Sequence, residues 1–169
     1  FAASTPPDVV FINSLYLPVY AEELTDLSNI IDFSQFYQSS IEALSYNGKI
    51  LAIPRDISNF VLYYNKDIVQ NPSIGDIKEL EQILLKVSNT EHWGISYERD
   101  IFFAEPYTMT MGMEEGMQFY KAMEGVYAPA PSDIGSSTLA QMFLDGKVVF
   151  YLSGRWMYPK INETCKFAY

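Results

Sequence analysis

The stretch DGKVVFYLSGRWMY, residues 145–158, decides how this chain is read. Asp145-Gly146 is a helix stop, because glycine takes the left-handed conformation that ends a helix. Lys147 to Leu152 then runs almost wholly apolar, without the polar–apolar alternation of a half-exposed strand. Such a run reads as an apolar strand. Ser153-Gly154-Arg155-Trp156 is a turn, and it opens a helix that the pattern carries to about Asn162. Upstream, Ser137 to Leu144 reads as a helix with Leu139, Met142 and Phe143 facing inward.

Working outward, the same alternation recurs. PDVVFIN (7–13) holds a continuous apolar run, Val9 to Ile12, and predicts a strand buried on both faces. SLYLPVYAEEL predicts a short helix capped at Ser14, with Leu15, Val19 and Leu24 toward the core. Ser34 to Leu44 predicts a helix carrying Phe33, Phe36, Tyr37, Ile41 and Leu44 in one stripe. Asn47-Gly48 between apolar segments is the strongest short hairpin signal, and it predicts a return strand over Lys49 to Ile53. Pro54-Arg55-Asp56 breaks that strand, and Asn59 to Tyr64 predicts the next. Ser73 is read as the cap of an amphipathic helix with Ile74, Ile77, Leu80, Ile83, Leu84 and Val87 on one face. Residues 93–97 predict a strand, 101–111 a helix, and 114–127 a helix with Met117, Tyr120 and Met123 inward. YAPAPSD (127–133) reads as a proline-rich loop, and Lys166 to Tyr169 as the start of a further strand. The order predicts an α/β fold with mainly parallel sheets flanked by helices.

Composition bounds the function. At 169 residues and 49% apolar, the chain can bury a real core. Its net charge is −10, with 11 Lys and Arg and no run of them, which argues against nucleic acid and against an anionic membrane surface. The aromatic content is 15%, a surplus that suits a surface gripping something flat and polar. Cys165 is the one cysteine, so it forms no internal disulfide and builds no zinc site alone. FAASTPP (1–7) lacks the basic and apolar regions of a signal peptide.

No metal, nucleotide or cofactor motif occurs, so no cofactor is expected. His92 lacks a partnered serine or cysteine at a known spacing and reads as a solvated residue before a strand. Glu22-Glu23 and Glu114-Glu115 point apart on their helices and read as solvated faces. Gly154-Arg155-Trp156 is more telling: arginine donates in a fork and tryptophan offers a flat apolar face, which together match a sugar's hydroxyl edge and C–H face. Against this stands a buried tryptophan beside a surface arginine. Arg55 and Asp56 read either as an ion pair holding a bend or as ligand contacts.

Three stretches taken in order carry a resemblance: PDVVFINSLYLPVYAEE, YNGKILAIPRDISNFVLYYNKDIV and FLDGKVVFYLSGRWMYPK. They resemble the extracellular solute-binding proteins of carbohydrate ABC transporters, the maltose-binding-like group. HWGISYE and GMQFYKAM are similar to that family's middle region. The resemblance implies a two-lobed periplasmic-binding-protein type II fold that closes over a sugar or related polyol and passes it to an ABC permease, outside the cytoplasmic membrane. It implies residues 1–57 in an N-terminal lobe, 58–60 in a hinge strand and 61–169 in a C-terminal lobe. Trp156 with Gly154 and Arg155 matches the family's aromatic-bearing turn. Arg55 and Asp56 match the segment entering the hinge. Asn13, Ser14 and Tyr16 fall in the loop after the early strand, where the maltose binders proper carry charged residues. Because family members extend beyond both ends, the chain is expected to be roughly half of such a protein, with any N-terminal lipid tether outside it. The rival expectations are a binder of another solute (a glycerophosphodiester, an amino acid or iron) and a glycosidase-type enzyme. An iron site would draw on Tyr63-Tyr64, which strand alternation sends to opposite faces. A glycosidase needs a carboxylate facing Asp56, and no partner is evident.

Overall fold

Strand β5, Val148–Gly154, is buried along its whole length, as the apolar run over its first five residues favours. In the computed structural model, which describes residues 7–129 and 134–169, β5 lies at the centre of a three-stranded sheet. On one side it pairs antiparallel with β3, Phe60–Tyr64; on the other it pairs parallel with β4, Trp93–Ser96. The fold class is α/β as expected. The expectation of mainly parallel pairing holds for β4 with β5 and fails for β3, whose direction no single-strand pattern encodes.

Because side chains alternate along β5, its two faces feed two cores. Phe150 and Leu152 pack with Leu80 and Leu84 of helix α2 (Ile77–Val87), Phe103 and Tyr107 of α3 (Ile101–Met111), and Tyr120 of α4 (Met113–Ala122). Tyr151 packs with Tyr63, Phe143 of α5 (Ser136–Leu144) and Ile161 of α6 (Tyr158–Thr164). The result is three layers, helix on sheet on helix. Each large apolar side chain buried from β5 contributes about 1.5–3 kcal/mol. Met123, expected inward, is fully buried just past α4.

Several elements differ from the sequence reading. Helix α2 starts at Ile77 and is capped by Asp76, whose carboxylate accepts from Glu79 N; Ser73 lies outside it. Asp76 stands three residues before Glu79, the spacing a side-chain cap needs. Lys166–Tyr169 forms no strand, although Lys66 N donates to Ala168 O at 2.8 Å. Of the proline-rich loop, residues 130–133 lie outside the described residues, as do residues 1–6 of the FAASTPP segment.

The chain divides into two compact units, Phe1–Ile57 and Ser58–Tyr169. The first is built from short pieces. Its hairpin pairs β1, Ser45–Tyr46, with β2, Lys49–Ile50, across Asn47 and Gly48, which both take positive φ (50° and 78°). That turn is the one expected, but the return strand ends at Ile50, not Ile53. Val9–Ile12 forms no strand: Val9 is 81% and Phe11 78% exposed. An apolar run becomes a strand only where neighbouring backbone accepts its hydrogen bonds, and the described residues place none beside it. The next segment is a 3₁₀ helix, Ser14–Tyr20, capped by Asn13 and not Ser14; it buries Leu17 and leaves Leu15 and Val19 exposed. The helix expected over 34–44 is split into a 3₁₀ turn, Phe33–Gln35, and α1, Gln38–Ala43, by extended backbone at Phe36 and Tyr37.

Helices α3 and α4 meet at Gly116. A Cβ there would fall 2.5 Å from Thr108 Cα and 2.6 Å from the Tyr107 carbonyl carbon, both backbone atoms. Alanine at an exposed helix position is worth about 1 kcal/mol over glycine, but here backbone must move. Gly116→Ala is therefore expected to destabilise the protein by about 1–3 kcal/mol, measured by urea denaturation; a stabilised variant would show that the two helices are not in this contact.

The aromatic core also sets an alkaline limit. Burial, with neighbouring tyrosines adding, pushes Tyr97 and Tyr107 well above the usual tyrosine value of 10, and burial pushes Tyr120 up to about 12. Folding therefore favours their neutral forms. That stability is fully present below about pH 10, where unfolded tyrosines begin to ionise, and is lost as pH rises through the folded values. Near-UV circular dichroism against pH should show tertiary structure collapsing between about pH 10 and 12; retention of the signal well above that range would contradict the burial.

Candidate functional site

In open α/β sheets, ligands bind beyond the carboxyl ends of the parallel strands. In Ser58–Tyr169 those ends are the loop after β4 and the corner after β5. At the corner, β5 turns directly into a 3₁₀ helix, Arg155–Met157, and then α6. Trp156 is 49% exposed. Its ring lies against Gly154: a Cβ on Gly154 would come within 1.8 Å of the indole Cζ3. The buried-tryptophan alternative is thus not what the structure shows. Arg155 is exposed beside it, and its backbone N–H donates to Asn59 O at 3.4 Å. Two positions at the start of α6 offer no free N–H. Tyr158 N donates back to Arg155 O, and Pro159 carries no N–H.

The loop after β4 carries residues that sequence reasoning passed over. Glu98 accepts from Ser136 Oγ at 2.8 Å. Arg99 is ion-paired to Glu124, both about one-third exposed. Asp100 caps α3 through Phe102 N. Tyr120 pins this loop from below, its hydroxyl donating to Glu98 O at 2.9 Å and to Asp100 O at 3.2 Å. A shallow hollow lined by Tyr97, Arg99, Glu124 and Leu139 has room for about one water molecule. The signal for these residues was positional: Glu98, Arg99 and Asp100 follow the strand WGIS after one intervening residue, Tyr97.

In Phe1–Ile57, Arg55 and Asp56 form the ion pair that was one of the two readings, with Nε donating to Oδ2 at 2.7 Å. Both side chains are about two-thirds exposed, so the pair is worth about 0–1 kcal/mol. The Arg55 guanidinium also sits over the Phe11 ring, 5.0 Å from its centroid. That contact brings the Arg55–Asp56 bend beside the segment leading to Asn13, Ser14 and Tyr16. Asn13 Oδ1 is engaged by Leu15 N at 3.0 Å, so its oxygen is a cap before it is a ligand contact. Ser14 and Tyr16 are exposed. Tyr63 and Tyr64 face opposite cores, as strand alternation requires.

No group of three or more His, Cys, Asp or Glu among the described residues could hold a metal ion. No helix among them is long and apolar enough to cross a membrane.

Comparison with solved structures places the fold. A maltotriose-binding protein of Thermus thermophilus, solved with maltotriose, aligns with a TM-score of 0.63 at 18% identity, over 86% of this chain and 45% of that one. A Staphylococcus aureus extracellular solute-binding protein in complex with maltose aligns with a TM-score of 0.64 at 20% identity, over 88% of this chain and 46% of that one. An ABC substrate-binding protein of Listeria monocytogenes in complex with cycloalternan aligns with a TM-score of 0.60 at 21% identity, over 88% and 47%. The chain thus spans under half the length of each. No curated protein matches it in sequence. The sequence as a whole, residues 1–169, matches the family described as bacterial extracellular solute-binding protein. With the buried central strand and the half-exposed Trp156 two residues past its end in place, the chain belongs to the bacterial extracellular solute-binding proteins.

Proposed function

We propose that the protein reversibly captures a sugar or related polyol and delivers it to an ABC import permease, acting by binding and not by turnover. The observation that carries this reading is Trp156: a half-exposed indole in contact with Gly154 beside an exposed arginine. The indole offers its face to C–H groups and Arg155 offers planar donors to hydroxyls, the pairing a sugar ring demands. Glu98 and Asp100, at the end of the neighbouring strand, add acceptors for hydroxyl protons. In Phe1–Ile57 the candidates for ligand contact are Asn13, Ser14, Tyr16, Arg55 and Asp56. The two units correspond to parts of an N-terminal and a C-terminal lobe, with the hinge at residues 58–60. The three solved relatives, whose ligands are maltose, maltotriose and cycloalternan, supply the class of sugar to try first.

Calorimetric titration of maltose and maltotriose into the protein and into Trp156→Ala tests this. The variant should lose about 1–3 kcal/mol of binding, the range for an aromatic anchor. Equal affinity in a folded variant would remove Trp156 from the site. Release of glucose from maltotriose during a long incubation would make the protein an enzyme and overturn the binding-only reading.

A further inference from the structure

The peptide group joining Gly154 to Arg155 is held at both ends from the β3 side of the sheet. Its oxygen accepts from the Tyr63 hydroxyl at 3.1 Å, and its N–H donates to Asn59 O at 3.4 Å. Because a peptide is planar, fixing its oxygen and its nitrogen fixes the orientation of the whole unit. Trp156 follows at once, and its indole rests on the α-carbon of Gly154. A rotation of this peptide would redirect the backbone that leads from Gly154 into Trp156, and so shift the ring relative to that carbon.

Tyr63 is well placed to resist such a rotation. It lies opposite Tyr151 in the β3–β5 register, three residues along from the Phe60–Gly154 pair, and only 7% of it is exposed. Its ring stacks on Tyr151, with centroids 6.3 Å apart, and that ring stacks in turn on Phe143 of α5 at 5.6 Å. A buried hydroxyl keeps its one acceptor, because leaving it unpaired is costly. The ring cannot leave without opening the core beneath the sheet.

We infer that Tyr63 is a positioning residue for Trp156: its hydroxyl locks the Gly154–Arg155 peptide, so the indole is held ready before ligand arrives. This rests on the reading of Trp156 as the stacking face, but its structural half can be tested without any ligand. In a Trp93→Phe background labelled with 5-fluorotryptophan, one ¹⁹F resonance reports Trp156 alone. Gly154→Ala marks the displaced ring, since the added Cβ would occupy its place. Tyr63→Phe removes only the hydroxyl. It should move or broaden the Trp156 line toward the Gly154→Ala position and weaken maltotriose binding about 3- to 10-fold, the scale of one hydrogen bond. An unmoved line overturns the inference, and so does a lowered melting temperature with an unmoved line, which would make Tyr63 merely structural. If the line moves while Trp156→Ala keeps full affinity, the positioning stands and the stacking reading falls.

Discussion

The double-sided burial of β5 is the constraint on which the rest of the unit Ser58–Tyr169 depends. A strand with apolar side chains on both faces must find cover above and below, and a strand in the middle of a sheet must find hydrogen-bonding neighbours on both sides. Tyr151 faces α5 and α6; Phe150 and Leu152 face α2, α3 and α4. β3 and β4 supply the flanking backbone. Remove the apolar character of this one strand and neither layer of helices has a surface to rest on.

The same strand sets the chemistry. A buried strand delivers its last residues to the edge of the sheet with little positional freedom, so the corner at Gly154 is rigid where it starts and exposed where it ends. Rigidity at such a corner lowers the ordering that binding must otherwise supply. Two tyrosines act alike at the two strand ends: Tyr63 donates to the last carbonyl of β5, and Tyr120 to the backbone after β4. Each hydroxyl spans from a packed core to backbone at a strand end, which an apolar side chain in its place could not do. The high tyrosine content thus serves the scaffold beneath the surface as well as the surface itself.

The unit Phe1–Ile57 is organised differently. It buries few side chains, Leu17 and Leu51 among them, and its order comes from local caps and turns: Asn13 on Leu15 N, Asp32 on Ser34 N, and the Asn47-Gly48 hairpin. Here the apolar patterns at 9–12 and 33–44 misled, because each needs a partner surface before it becomes a strand or a single helix. Where periodicity was strong, as for α2, element and face were both legible; for β5 the element was legible and its faces were not. Caps were less so: Ser73 and Asp76 are both good cap residues, and only the path of the backbone chose between them.

Legible in the sequence alone were the α/β class, an apolar strand over residues 147–152, the turn at 153–156 and the membership of a solute-binding family. These follow from local pattern and from ordered motifs, which need no third dimension. Direction, contact and support came from tertiary packing. It ran β3 antiparallel to β5, laid the Trp156 ring on Gly154, and brought Tyr63 to a carbonyl 91 positions away. It also set Glu98 against Ser136, 38 positions apart. The physical reason is that a hydrogen bond or a ring contact depends on distance in space, and chain separations of this size leave no periodic trace in sequence.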